Sequence, residues 1–244
     1  MTTRLVLLST MLALGACREA SSEESHDSTY PVITPKPPCA SCTLDAPATA
    51  RGPLPLLVVL HGNHESASTA AKRWKDTAIE RGFVVLSLHC PRDAGCEGGQ
   101  WYRWSSTPGW VQKQVSKVSR ELVIDPSRTY LAGWSGGATA IGMHAPAFDR
   151  MFAAVVIHGG GQPPLGSDAC PERPLPAYFL VGDGNPAHPA AKRLRDYYQR
   201  CGQELTWDLL PGARHPQEDR ALDRDKAAHI LDWLTAHARR PNVS

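Results

Sequence analysis

Gly133-Trp134-Ser135-Gly136-Gly137 follows directly on the apolar run Thr129-Tyr130-Leu131-Ala132. A serine placed on a sharp strand-to-helix turn presents its hydroxyl outward, and glycines on either side remove the Cβ clashes that such a bend creates. Ser135 is therefore the candidate nucleophile. A serine hydroxyl is weak at neutral pH and needs a base within hydrogen-bond reach. Of the ten histidines, His215 suits that role best. It stands in Gly212-Ala213-Arg214-His215-Pro216, just after the last apolar run, and the flanking glycine and proline read as a loop. The base in turn needs a partner that holds its tautomer and steadies its charge. Gly182-Asp183-Gly184-Asn185-Pro186 supplies Asp183 as the carboxylate, with Asn185 as the alternative. Asp183 also suits turn capping, a common task of aspartate. The developing oxyanion needs two N–H donors. Gly136, next to the nucleophile, is one candidate, and Asn63 in His61-Gly62-Asn63-His64 is the other. His61 reads as a brace for that loop. His61 and His64 lack further ligands at metal spacing, so neither a metal nor a cofactor is expected.

These residues need a scaffold. Apolar runs at 54–60, 83–88, 128–132, 153–157, 176–181 and 205–210 read as strands. Helical spacing occupies 68–81, 110–123, 136–144, 187–200 and 222–238. The alternation predicts a mostly parallel central sheet with helices on both faces. The long segment 90–110 carries Trp101-Tyr102-Arg103-Trp104, whose aromatics either grip substrate or pack the loop down. The charged run 219–226 reads as a solvated helix start.

Residues 54–238 resemble α/β-hydrolases of the group that holds dienelactone hydrolases, phospholipase/carboxylesterases and polyhydroxybutyrate-depolymerase-like feruloyl esterases. The resemblance rests on Leu60-His61-Gly62, on the stretch from Asp125-Pro126-Ser127 through Gly137, on the order serine, acid, histidine, and on the closing Gly212-Ala213-Arg214-His215. It implies an α/β-hydrolase fold and a serine carboxylic-ester hydrolase acting on small-molecule esters. In those families the acid sits three residues after a glycine at the end of its strand. Here Asn185 has that place, so the chain departs from the pattern at one triad position. Two other readings stand beside the esterase. An exported serine peptidase on the same fold would cleave aminoacyl amides, and a surface-anchored binding protein would carry an inactive triad. Asn185 is the residue that keeps the last one open.

The chain has 244 residues, with 26 basic against 24 acidic side chains. That length suits one full-sized domain, and so balanced a charge gives no nucleic-acid footprint. Arg4 precedes an apolar stretch at 5–14 that is too short to span a membrane. Leu14-Gly15-Ala16-Cys17 resembles the lipobox of bacterial lipoproteins, with Cys17 as the lipidated residue; a plain secretory signal is the other reading. Arg18 in place of an aspartate points to the outer membrane of a bacterial cell envelope. Residues 1–17 are thus expected to be the signal, 18–38 a disordered tether and 39–244 a single domain. Export permits disulfides among the six remaining cysteines. A local Cys39–Cys42 bridge is expected, and Cys90 with Cys96 and Cys170 with Cys201 are the other pairs chosen.

Overall fold

The computed structural model describes residues 30–49 and 51–239. Eight strands make one sheet: β1 (Val32–Ile33), β2 (Thr43–Pro47), β3 (Leu54–Leu60), β4 (Val84–Leu88), β5 (Ile124–Trp134), β6 (Ala154–His158), β7 (Ala177–Gly182) and β8 (Leu205–Leu210). Their order is β1-β2-β4-β3-β5-β6-β7-β8. Every pair from β4 through β8 is parallel, while β1 and β2 are antiparallel additions at one edge. The helices are α1 (Ala67–Lys72), α2 (Lys75–Glu80), α3 (Thr107–Glu121), α4 (Gly136–Met143), α5 (Ala145–Phe148), α6 (His188–Arg200), α7 (His215–Ala221) and α8 (Arg224–Ala236). This is the α/β-hydrolase fold, a mostly parallel sheet covered on both faces.

The central strands are continuous apolar runs because both of their faces are buried. Successive residues of β3 show the division. Leu56, Val58 and Leu60 join a core with Val111 and Val118 of α3, Ile141 of α4 and Leu194 of α6. Leu57 and Val59 join the opposite core with Ala70, Ala78 and, from α8, Ile230, Leu231 and Leu234. The period of two along each strand thus sorts one sequence run onto two helix layers.

Three expectations need correction. The helix expected over 68–81 is two helices, because Trp74 at φ −123° interrupts the ladder and sits buried in the second core. Residues 30–38 are not tether. Val32 and Ile33 pair with Pro47 and Ala46, and Lys117 Nζ donates to the carbonyl of Pro38 at 2.7 Å. Two β-branched residues are well suited to a short edge strand. The segment expected as a loop around His215 begins a helix, as set out below. The segment expected as a signal, Cys17 and the first part of the expected tether lie outside the described residues.

Disulfides join Cys39–Cys42, Cys90–Cys96 and Cys170–Cys201. Among the described residues no helix is long and apolar enough to cross a membrane.

Candidate active site

Ser135 stands between the end of β5 and the start of α4 with φ 51° and ψ −108°. A non-glycine residue held there stores about 1–3 kcal/mol, which the surroundings must overcome. They do so through both of its backbone groups. Its N–H donates to His158 O at 2.8 Å, and its carbonyl accepts from Thr139 N at 2.9 Å. Glycines make the close packing possible. A Cβ on Gly133 would lie 2.5 Å from Ala138 N, and one on Gly160 would lie 2.5 Å from Ser135 O.

His215 Nε2 lies 2.9 Å from Ser135 Oγ. His215 is the first residue of α7, not a loop residue. Pro216 is compatible with this, since the first turn of a helix leaves its N–H groups unpaired in any case. Gln217 Oε1 accepts the Arg214 N–H at 2.7 Å and closes the turn. A helix starting at His215 puts residue 218 on the same face. That residue is Glu218, only 1% exposed. Its Oε2 is 3.0 Å from His215 Nδ1 and 2.5 Å from Asn185 Nδ2, and its Oε1 accepts the Gly182 N–H at 2.6 Å. Nδ1–H therefore donates to the carboxylate, which leaves Nε2 free to accept from the serine.

Asn185 is buried beside this pair. Its Nδ2 lies 3.2 Å from His215 Nδ1 and also reaches Gly159 O at 3.3 Å, while its Oδ1 accepts the Ala187 N–H at 2.9 Å. Asp183 is placed otherwise. It is exposed, and its Oδ1 accepts the Gly212 N–H, so it caps the turn before α7 instead of meeting the imidazole. The two residues are only two apart, but the turn after β7 points them in opposite directions. Sequence reasoning missed Glu218. The signal was available in His215-Pro216-Gln217-Glu218, an acid one helical turn after the base, and the loop reading of the proline concealed it.

Trp134 forms the floor under His215. Its ring stacks on His215 with centroids 4.4 Å apart and planes within 6°. His158 lies against it at 4.4 Å, and the Arg73 guanidinium sits 5.1 Å from its centroid. Arg73 pairs with Glu65 and with Asp219, each at 2.6 Å. Glu65 in turn accepts the Gly62 N–H at 3.0 Å. One cation thus ties the loop after β3 to the helix that carries His215. Asp219, expected on a solvated helix start, is half of this link.

His158 is buried, and its Nε2–H donates to the carbonyl of Glu218 at 2.8 Å. Burial pushes its pKa down to about 4. The unfolded chain therefore binds a proton between about pH 6.5 and 4 that the folded chain refuses. Stability is complete above about pH 6.5 and falls as the pH drops toward 4. At pH 5 the loss from this group is on the order of 2 kcal/mol. Urea unfolding at pH 7 and pH 5 should show that decrement, and His158→Gln should show a smaller one. An equal decrement in the variant would assign the acid sensitivity to other groups.

A cleft of about 500 Å³ opens over Ser135, lined by Asn63, Tyr102, Thr139, Pro186 and Ala187 among others. Gly136 and Asn63 approach as closely as glycine permits. A Cβ on Gly136 would meet the Asn63 side-chain amide and lie 3.3 Å from its backbone N. His61 braces this loop, with Nδ1–H donating to Gly62 O at 2.6 Å and Nε2 accepting the Cys90 N–H at 3.1 Å. The aromatic segment divides its tasks. Trp101 is fully buried against His61 and Trp110, whereas Tyr102 faces the cleft and its hydroxyl accepts from Asn63 Nδ2 at 3.4 Å. Other histidines make different contacts: His188 packs on Trp207, His229 on Tyr178 and His237 on Trp233.

Residues 41–164, a little over half of the chain, match the family described as Esterase PHB depolymerase. The chain belongs to this family. Membership covers the serine bend and the Asn63 loop, and the matched stretch ends before Asn185, His215 and Glu218. A bifunctional acetylxylan esterase/xylanase from Neocallimastix patriciarum is 26% identical over 183 residues, which is 70% of this chain and 26% of that protein. The chain thus spans about a quarter of that curated relative. Among solved structures, S-formylglutathione hydrolase from Staphylococcus aureus superposes with a TM-score of 0.64 at 14% identity, covering 85% of this chain and 97% of that one. Est1E from Butyrivibrio proteoclasticus, solved with ferulic acid, gives 0.57 at 15% identity over 80% and 95% of the two chains. At such identities these likenesses establish the shared fold of the family member, and its chemistry must be argued from its own residues.

Proposed function

We propose that this protein is a serine carboxylic-ester hydrolase working through an acyl-enzyme. The observation that carries the reading is the 2.9 Å contact of His215 Nε2 with Ser135 Oγ at the floor of an open cleft. Ser135 Oγ attacks the ester carbonyl as His215 Nε2 takes its proton. The carbonyl electron pair moves onto oxygen, where the N–H groups of Gly136 and Asn63 receive it. Collapse breaks the bond to the alcohol, which leaves with the proton from His215. Water then repeats the sequence on the acyl-serine and releases the acid.

Small-molecule esters fit the cleft, where Gly136, Gly159, Gly160, Pro186 and Ala187 supply small or apolar wall beside the polar Asn63, Tyr102, Thr139, Asn185 and His215. The names of the relatives point the same way: an acetylxylan esterase, an S-formylglutathione hydrolase and an Est1E structure with ferulic acid bound. Three disulfides favour an oxidising compartment. A signal ending at Cys17 would hold the single domain on the bacterial envelope through a lipid anchor.

Purified protein should react stoichiometrically with a fluorophosphonate and hydrolyse p-nitrophenyl acetate. Ser135→Ala should do neither. A folded wild-type protein that takes no label would remove the hydrolase reading and leave a binding protein on a hydrolase fold.

A further inference from the structure

We infer that the negative charge behind the base comes from Glu218, on the base's own helix, and that Asn185 serves it as a neutral clamp. The inference rests on the hydrolase reading above and names the partner through which His215 works. Glu218 is the carboxylate at Nδ1, at 3.0 Å. It is a positioning residue, since it touches the imidazole and not the reacting atoms.

Each contact of Glu218 has a consequence. Its bond from the Gly182 N–H pins it to the end of β7, the strand end from which Asp183 and Asn185 also depart. Its bond from Asn185 Nδ2 satisfies a further lone pair of a buried charge, which would otherwise be strongly disfavoured. The amide at 185 follows from that bond. A carboxylate there would stand 2.5 Å from Glu218, and two such groups cannot both ionise at that separation. Asparagine at 185 and glutamate at 218 are therefore a matched pair, with the charge on one member and the donor on the other.

The pair can be inverted. In Glu218→Gln, Oε1 still accepts from Gly182, but the new amide and that of Asn185 confront each other and no charge faces Nδ1. Adding Asn185→Asp restores a carboxylate about 3.2 Å from Nδ1 and gives the glutamine amide an acceptor. Only the 3.3 Å bond to Gly159 O is lost.

The test compares wild type, Glu218→Gln, Glu218→Gln/Asn185→Asp and Asp183→Asn on a p-nitrophenyl ester across pH. Glu218→Gln should lower kcat by about 10³–10⁴ with little change in KM. The double variant should regain at least about tenfold, a rescue that a purely structural role would not give. Asp183→Asn should stay within about twofold. A parallel proton NMR experiment asks the same question without turnover. The downfield Nδ1–H resonance should vanish in Glu218→Gln and persist in Asp183→Asn. Full rate and an intact resonance in Glu218→Gln, or their loss in Asp183→Asn alone, would overturn the assignment. If wild type neither hydrolyses esters nor takes the fluorophosphonate, the hydrolase reading fails on its own, and the resonance still decides which carboxylate holds His215.

Discussion

His215→Ala should lower kcat by about 10⁶, close to the effect of removing the serine itself. In the proposed mechanism the two residues act as one unit across 2.9 Å, so losing His215 would leave a hydroxyl with almost no tendency to attack. KM should change little, because His215 contributes far more to the transition state than to substrate binding. Fluorophosphonate labelling should slow in parallel, since it draws on the same activation. Trp134, which stacks on the imidazole, is held from its other side by His158 and Arg73, so the site should keep its floor in the variant. Steady-state kinetics and a thermal melt check both points. A loss below about 100-fold with normal folding would mean that another group takes the proton.

The largest effect on stability is expected for Gly133→Ala. Its Cβ would lie 2.5 Å from both Ala138 N and the Gly137 carbonyl carbon. These are backbone atoms of α4, and α4 has no room to withdraw. A Cβ on Gly137 would already strike Leu60 O and lie 2.9 Å from His61 O. The added methyl must therefore displace the β5–α4 junction. Overpacking of this kind costs about 3 kcal/mol or more, which lowers Tm by about 6–12 °C for a domain of this size. Gly109→Ala is the control. Gly109 is exposed in α3 with nothing within 4 Å of a Cβ, and alanine there should stabilise by about 0.5–1 kcal/mol. Calorimetry on the two variants reads the contrast, and equal melting temperatures would refute the packing account.

The parallel part of the sheet, β3 to β8, was legible because its strands are local apolar runs, whereas the antiparallel edge strands β1 and β2 are too short or too mixed in composition to stand out. The bend at Ser135 was legible for a similar reason. Its glycines answer clashes within a few residues of chain, and those clashes are written into five consecutive letters. His215 stands out by its place after the last strand, although Pro216 reads as a loop mark and lies instead in the first turn of α7. The helix over 68–81 was misjudged because only the core decides that Trp74 turns inward.

The partner of the base is different in kind. Asp183 has the charge and Asn185 has the position in the chain, and neither property decides which group faces Nδ1. That depends on the end of β7 meeting α7, where the Gly182 N–H draws in Glu218 and the Gly212 N–H draws Asp183 outward. The Arg73 link between Glu65 and Asp219 is equally invisible in the chain, since its two acids lie far apart along it. The sequence by itself determined the fold and the sharp bend at Ser135, which follow from periodicity and short-range sterics. Only the tertiary structure decided which carboxylate faces His215 Nδ1. A buried carboxylate is selected by the donors that converge on it, and those donors come from segments that meet only when the sheet and its helices have packed.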